Sequence, residues 1–143
     1  MSAASRALIR RLFDDGINKR DLPLLKEFYS DCVYHSPITG KLSGEALTQF
    51  MVSIFAAFPD AQRTVEDQFS DNYKVVTRWT YTGTHQGEFL GIAPTGKRVT
   101  VTGMCIHSIH DGKIVEEWEE WDTLGLMQQL GAVPPIKLQS PAA

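Results

Sequence analysis

The chain has 143 residues, of which 43% are hydrophobic and 22% charged, and its formal net charge is −3. This length suits one domain with its own core and excludes two ordinary domains. The acidic balance argues against a nucleic-acid partner, because phosphate binding normally requires a basic surface. No apolar run approaches the roughly twenty residues that span a bilayer, so no membrane partner is expected either. Arginines interrupt the apolar residues at the N-terminus, which argues against a signal peptide and predicts a cytoplasmic protein with reduced cysteines.

The first part of the chain is predicted to be helical. Apolar residues recur at spacings of three and four over residues 4–19, a pattern typical of an amphipathic helix. Asp21 suits the N-cap of a second, short helix. Residues 32–37 read as a short strand that ends at a proline. After a glycine-containing loop, Ser43 is expected to cap a third helix over about residues 45–58.

The rest of the chain is predicted to be mostly antiparallel strands. Segments 62–69 and 73–84 are rich in the β-branched and aromatic residues that a pleated sheet favours. A glycine-rich loop and a hairpin follow, then a short terminal helix. Helices first and strands afterwards predict an α+β domain over residues 1–135, with helices covering one face of a curved sheet. Residues 136–143 show no periodicity and are expected to be a flexible tail.

The hairpin is predicted from its Asp111-Gly112 turn, because a type I′ turn needs a positive φ at both central residues. A two-residue loop would pair His107 with Glu116 and Cys105 with Trp118. Side chains alternate along a strand, so this register places His107 on one face of the sheet together with Trp118, Glu120 and Asp122. It places Glu117, Glu119 and Trp121 on the other face. The first face mixes apolar and titratable groups, which suits a pocket better than a dry core.

Three C-terminal segments carry a resemblance: GTHQGEFLGIAPTGKRV at residues 83–99, DGKIVEEWEEWD at 111–122 and LGLMQQLG at 124–131. Together they resemble the SnoaL-like polyketide cyclase family, and the likeness extends over nearly the whole chain. The resemblance implies the cone-shaped α+β barrel of nuclear transport factor 2 and ketosteroid isomerase, a curved antiparallel sheet wrapped around the N-terminal helices. It also implies a deep pocket, a homodimer or tetramer formed through the outer sheet face, and intramolecular aldol ring closure without metal or cofactor.

The same resemblance suggests three catalytic residues. The family's catalytic carboxylate, at the end of the W-x-x-x-D strand, falls on Asp122, and its histidine and first polar residue fall on His107 and His35. Each has a plainer interpretation that stays open. Asp122 stands where a helix N-cap would stand, and either histidine could be a hydrogen-bonded residue in the sheet.

Six further side chains are predicted to contact a substrate. Glu120, close to Asp122, would raise the pKa of one of the two carboxyl groups. Arg78 could bind a carboxylate or an enolate, whereas a structural hydrogen bond to the loop over the pocket mouth is the better interpretation of His85. The full set is Trp118, Glu120, Arg78, His85, Phe50 and Trp79. The glutamates of the last strand alternate between two faces, so they are not expected to converge on a metal ion.

These observations lead to a cofactor-free acid/base enzyme acting on a small, apolar, carbonyl-bearing molecule, of cyclase type or a related isomerase or hydrolase. The alternative is a binding module that holds a lipid-like or polyketide-like ligand without turnover, since an apolar pocket serves both. A purely structural dimerisation domain is a third hypothesis, against which the polar inward residues argue. A homodimer is expected in any case, because the outer face would expose Met104, Ile106, Val115 and Trp121 in a monomer.

Overall fold

The computed structural model describes residues 2–138 and contains four α-helices and six strands. The helices are α1 (Ser2–Arg11), α2 (Leu22–Tyr29), α3 (Gly44–Ala57) and α4 (Thr123–Gln129), and a π-helical segment (Leu12–Ile17) extends α1. The strands are β1 (Val33–Ser36), β2 (Gly40–Ser43), β3 (Gln62–Ser70), β4 (Lys74–Thr84), β5 (Arg98–His110) and β6 (Lys113–Trp121). Residues 136–138 have no regular secondary structure, and the rest of the predicted tail lies outside the described residues.

All six strands belong to one curved, unclosed sheet in the order β2-β1-β6-β5-β4-β3, which confirms the predicted α+β class. Neighbouring strands are antiparallel except β1 and β6, which are parallel. Strand β2 was missed by the sequence prediction, which placed a loop there. Its four residues show no alternation of apolar side chains, and they are extended because they pair with β1 at the edge of the sheet.

The helices cover one face of the sheet and form the core with it. The apolar stripe of α1 and its extension is fully or nearly fully buried at Ile9, Leu12, Phe13 and Ile17, as the helical spacing predicts. The carboxylate of Asp21 accepts a hydrogen bond from the Leu24 N–H at 3.1 Å, so the predicted N-cap of α2 is confirmed.

At the start of α3, Ser43 has the extended backbone of an N-cap, but its side chain makes no capping hydrogen bond. The predicted N-cap position of α3 is therefore confirmed, but the Ser43 hydroxyl contributes no capping bond, and the residue is also the last of strand β2.

The turn of the predicted hairpin is confirmed. Asp111 and Gly112 have φ values of +49° and +74°, and His110 pairs directly with Lys113 across them. The predicted register holds for one further pair, Ile109 with Ile114, and then fails.

A β-bulge at Val115 is the reason for the failure. Ile109 pairs with Ile114, but the next residue pair along the ladder joins Ser108 to Glu116, so Val115 is an extra residue in β6. Beyond this point, each residue of β6 is displaced by one position relative to the predicted pairing. Because side chains alternate along a strand, a displacement of one residue exchanges the two faces of the strand.

The exchange of faces decides which acidic side chains enter the core. Glu117 and Glu119 are 2% and 6% exposed, although they were predicted to point outward. Trp118 is 53% exposed and Glu120 is also exposed, although both were predicted to point inward. His107 is fully buried, as predicted, and its partner on β6 is Glu117 rather than Glu116.

Candidate functional site

A narrow cavity of about 40 Å³ lies between the sheet and the helices. Its walls are formed mainly by aromatic and aliphatic side chains: Phe50, Ile54, Phe58, Trp79, Tyr81, Phe89, Val99, Val101, Trp121 and Leu126. The two charged residues that line it are Arg63 and Glu119. An apolar cavity with a few polar groups is the usual form of a small-molecule site.

Glu119 is the one carboxylate in the lining of this cavity, and its carboxylate oxygens are held from two sides. The Tyr34 hydroxyl donates to Oε1 at 2.9 Å, and Arg63 Nη1 donates to Oε2 at 3.3 Å. Burial raises the pKa of Glu119 above its ordinary value, since the positive charge of Arg63 offsets the loss of hydration only in part. A carboxyl group whose pKa is raised in this way is a stronger base when ionised, which suits it to accept a proton and then return it.

Arg63 enters the core at the start of β3 and remains charged there. Its guanidinium carbon lies 4.3 Å from the centre of the Trp79 ring and 5.6 Å from that of Tyr81, so the cation stacks on aromatic faces. Burial alone would lower the pKa of Arg63, but the Glu119 carboxylate raises it well above the ordinary value. Arg63 therefore carries its positive charge at every physiological pH.

Neither Arg63 nor Glu119 was predicted from the sequence to be a site residue. Glu119 was excluded because the hairpin was assumed to have no bulge. Arg63 could have been found from its pairing with Tyr81, because directly paired residues point to the same face of a sheet. Tyr81 is two residues from Trp79 on β4 and therefore shares that face with it. That register is not visible in the sequence, because a second bulge interrupts the pairing of β3 with β4 between Val65 and Asp67.

Behind Glu119 lies a second buried polar cluster. His107 Nε2 and Glu117 Oε1 are 3.2 Å apart, and Cys105 completes a group whose potential metal ligands lie within 4.8 Å of one another. A structural zinc site has four protein ligands, and a catalytic one keeps an open position. Among residues 2–138 the group has no fourth member, and none of the three lines the cavity. Burial beside Glu117 and Glu119 also raises the pKa of the Cys105 thiol, so we interpret the cluster as a polar contact within the core.

Asp122 lies outside the cavity. It is exposed, and its Oδ1 accepts a hydrogen bond from the Gly125 N–H at 2.8 Å, which makes it the N-cap of α4. Its predicted position on the inner face with His107 is wrong, because the bulge at Val115 turns Trp121 inward and leaves Asp122 at the end of the strand. The capping interpretation of Asp122 accounts for the hydrogen bond that its side chain makes.

His35 and Trp118 meet on the outer side of the sheet rather than in the cavity. Their rings stack in parallel with centres 3.9 Å apart, and His35 Nε2 contacts Glu116 Oε2 at 2.9 Å. Glu120 and Arg78 are exposed on this same side, and each is paired directly with Met104, one from either neighbouring strand. The structure therefore does not bring these predicted site residues together with His107.

The remaining predicted contacts lie at or near the cavity. Phe50 and Trp79 line it, as predicted. His85 is fully buried beside Phe58, and its Nδ1 accepts a hydrogen bond from the Thr95 N–H at 3.2 Å. This bond joins the two ends of the loop between β4 and β5, which carries Phe89 into the cavity wall, so His85 has the loop-holding contact that its structural interpretation requires.

Solved structures with this fold come from several bacteria. AclR of Streptomyces galilaeus, proposed to be a hydroxylase, is 32% identical over 96% of this chain and 87% of its own, with a TM-score of 0.86. A proposed SnoaL-like polyketide cyclase from Jannaschia sp. CCS1 is 27% identical over 93% and 95%, with a TM-score of 0.82. IdmH of Streptomyces antibioticus, a proposed polyketide cyclase, is 32% identical over 88% and 97%, with a TM-score of 0.78.

No curated protein matches the chain. None of the helices within residues 2–138 has the length and apolar character needed to cross a membrane. The family model described as SnoaL-like polyketide cyclase matches residues 7–130, which is most of the sequence. The chain therefore belongs to the SnoaL-like polyketide cyclase family.

Proposed function

We propose that this protein is a cofactor-free acid/base enzyme in which Glu119 transfers the proton, and that its substrate is a small, apolar, carbonyl-bearing molecule. The observation that carries the proposal is a buried carboxyl group, with a raised pKa, facing an aromatic cavity. Desolvation brings the pKa of such a group closer to the working pH, where general acid/base catalysis is most effective.

For an intramolecular aldol closure, the ionised Glu119 removes a proton from the carbon next to a carbonyl group. The electron pair of that C–H bond forms the enolate, whose carbon then attacks a second carbonyl carbon of the same molecule. The new C–C bond leaves an alkoxide, which takes the proton back from Glu119. The proton taken from carbon ends on the new hydroxyl group and Glu119 is ionised again, so the steps balance without a metal or cofactor.

Two neighbours keep the Glu119 carboxylate in place during these transfers. Tyr34 holds one oxygen and Arg63 the other, so the carboxylate cannot rotate freely. The cavity as it stands is smaller than the roughly 300–1,000 Å³ of a typical ligand site. Entry of a ring-forming substrate therefore requires partly buried side chains of α3, such as Phe50 and Ile54, to move aside.

The relatives support an enzyme of cyclase type without fixing the reaction. IdmH is proposed to be a cyclase and AclR a hydroxylase, so more than one reaction is proposed for proteins of this fold. The alternative of a binding module rests on the apolar walls alone. A protein that binds aromatic carbonyl compounds but never exchanges their protons would favour this alternative.

The test is deuterium uptake next to the carbonyl group of acetophenone in D₂O, followed by NMR. We expect Glu119→Gln to lower the protein-dependent rate by roughly 10²–10⁴, the usual contribution of one positioned proton-transfer group. Glu120→Gln is the matched control, because Glu120 is the next residue but is exposed on the other face. Equal rates for wild-type protein and Glu119→Gln would contradict the proposal, as would an equal loss in the control.

We also propose a homodimer formed through the outer face of the sheet. A row of side chains crosses four paired strands there: Phe69, Val76, Ile106 and Trp118. Phe69 and Trp118 are 65% and 53% exposed, and the neighbouring Met104 is 56% exposed. A contiguous apolar row of this kind on a sheet face is typical of a protein–protein interface. Trp121, predicted to belong to this face, lines the cavity instead.

A further inference from the structure

Three hydrogen-bond donors in the cavity wall have no acceptor. Within the part of the chain that the structure describes, Arg63 Nε, Trp79 Nε1 and the Tyr81 hydroxyl are buried and make no hydrogen bond. All three side chains line the cavity that Glu119 faces, and they are 7%, 2% and 7% exposed. Buried polar groups without partners are uncommon in native proteins, and three around one cavity call for an explanation.

The chemistry of these groups defines what would satisfy them. An indole N–H and a guanidinium N–H can only donate hydrogen bonds. Burial raises the pKa of Tyr81 to about 12, so its hydroxyl keeps its proton and can donate as well. The complement of three such donors on the wall of one cavity is an atom with several lone pairs, and the full positive charge on Arg63 favours one that is negative.

Arg63 is placed to serve two oxygens at once. Its Nη1 donates to Glu119, while its Nε remains free on the same planar group. When Glu119 accepts a proton from a substrate carbon, negative charge leaves the carboxylate and appears on the substrate oxygen. A guanidinium group that touches both positions stabilises the charge before and after the transfer, without needing to move.

We propose that Arg63, Trp79 and Tyr81 form an oxyanion site beside Glu119, and that the substrate class is planar carbonyl compounds bound through an enolate or phenolate-like oxygen. This inference rests on the proposed function in taking Glu119 as the proton acceptor. It adds residues and a ligand chemistry that the acid/base proposal does not require, because an enolate spread over a conjugated substrate needs no such site.

The test uses 4-nitrophenol as the probe, since its ionised and neutral forms differ in absorbance, and 4-nitroanisole as a neutral control of nearly the same shape. We expect the bound 4-nitrophenol to be ionised at a pH where the free compound is largely neutral. We expect Trp79→Phe and Tyr81→Phe each to weaken its binding by about tenfold or more, the value of one hydrogen bond to a charged group. Binding of 4-nitroanisole should be weaker in wild-type protein and unchanged by either substitution.

Tyr29→Phe is the matched control, because Tyr29 is also a buried tyrosine but does not line the cavity. It should leave binding of the probe unchanged. The inference is overturned if 4-nitrophenol binds in its neutral form, if it binds no better than 4-nitroanisole, or if neither compound binds at millimolar concentration. It is also overturned if folded Trp79→Phe and Tyr81→Phe proteins bind the phenolate as wild-type protein does.

The test of the oxyanion site can fail or succeed independently of the test of the acid/base enzyme. Glu119→Gln should still bind 4-nitrophenolate, because the neutral amide resembles the protonated carboxyl group, while it loses deuterium exchange. Phenolate binding without any exchange by wild-type protein would sustain the oxyanion site and reject the acid/base enzyme. Deuterium exchange that depends on Glu119 but not on Trp79 or Tyr81 would sustain the acid/base enzyme and reject the oxyanion site.

Discussion

Replacing Arg63 with methionine should show how much of the site's stability depends on the buried charge pair. Both partners are 7% exposed or less, and the guanidinium group is the cation that contacts Glu119. Removing one partner of a buried pair leaves the other charge without compensation, which costs about 3–5 kcal/mol of unfolding free energy. Loss of the cation–π contact with Trp79 contributes to the same total, by about 0.5–2 kcal/mol.

The loss should depend on pH in a definite direction. The pKa of Glu119 is raised above 4.5 in the folded wild-type protein, and the positive charge of Arg63 limits that rise. Without Arg63 the pKa rises further, so the folded variant binds its proton more tightly than wild-type protein does. The stability deficit of the variant should therefore grow as the pH rises from the wild-type pKa to that of the variant. One proton limits this growth to about 1.4 kcal/mol per pH unit.

The assay is urea unfolding followed by tryptophan fluorescence between pH 5 and pH 8. The double variant Arg63→Met/Glu119→Gln should lose the additional pH dependence, because no titrating group is left at the pair. Arg78→Met is the matched control on the exposed face and should change stability by less than about 0.5 kcal/mol. An Arg63→Met protein that loses less than about 1 kcal/mol at every pH, or a double variant that keeps the pH dependence, would refute this reasoning.

Three further substitutions test the rest of the structure. Asp122→Asn should leave acetophenone exchange unchanged and alter the thermal midpoint little, because asparagine caps a helix about as well through the Gly125 N–H. Gly103→Ala should lower stability by about 1–3 kcal/mol in urea unfolding, since a Cβ there meets the ring of Trp79, and an unchanged midpoint would contradict the described packing. Met104→Glu should shift sedimentation toward the monomer if the outer face is the dimer interface, and a monomeric wild-type protein would reject that interface.

Local features of the fold could be predicted from the sequence because their causes are local. The apolar spacing of α1, the Asp21 cap and the alternating residues of β4 each act over a few neighbouring residues. The Asp111-Gly112 turn was predicted for the same reason, since its positive φ values are set by the residues themselves. These elements, with their order along the chain, were enough for the α+β class.

A shift of one residue in the pairing of β5 with β6 determined which glutamate lies in the cavity. The sequence alternates glutamates on both faces of β6, so either Glu120 or Glu119 could have entered the core. The extra residue at Val115 turned Glu119 inward and left Asp122 to cap α4. The residues of β6 beyond this bulge pair with β5 on one side and β1 on the other, so contacts with two strands that are separate in the chain hold their register.

The burial of Arg63 could not be predicted from the sequence either. Taken alone, it is an ordinary charged residue at the start of a strand, and such residues are usually exposed. It is buried because Glu119, which lies 56 residues further along the chain, supplies the opposite charge, and because Trp79 and Tyr81 supply the aromatic faces. The sequence determined which segments are helices, strands and turns, since short-range preferences suffice for that. Only the tertiary structure decided which charges meet in the core, because that depends on the register between strands that are distant in the chain.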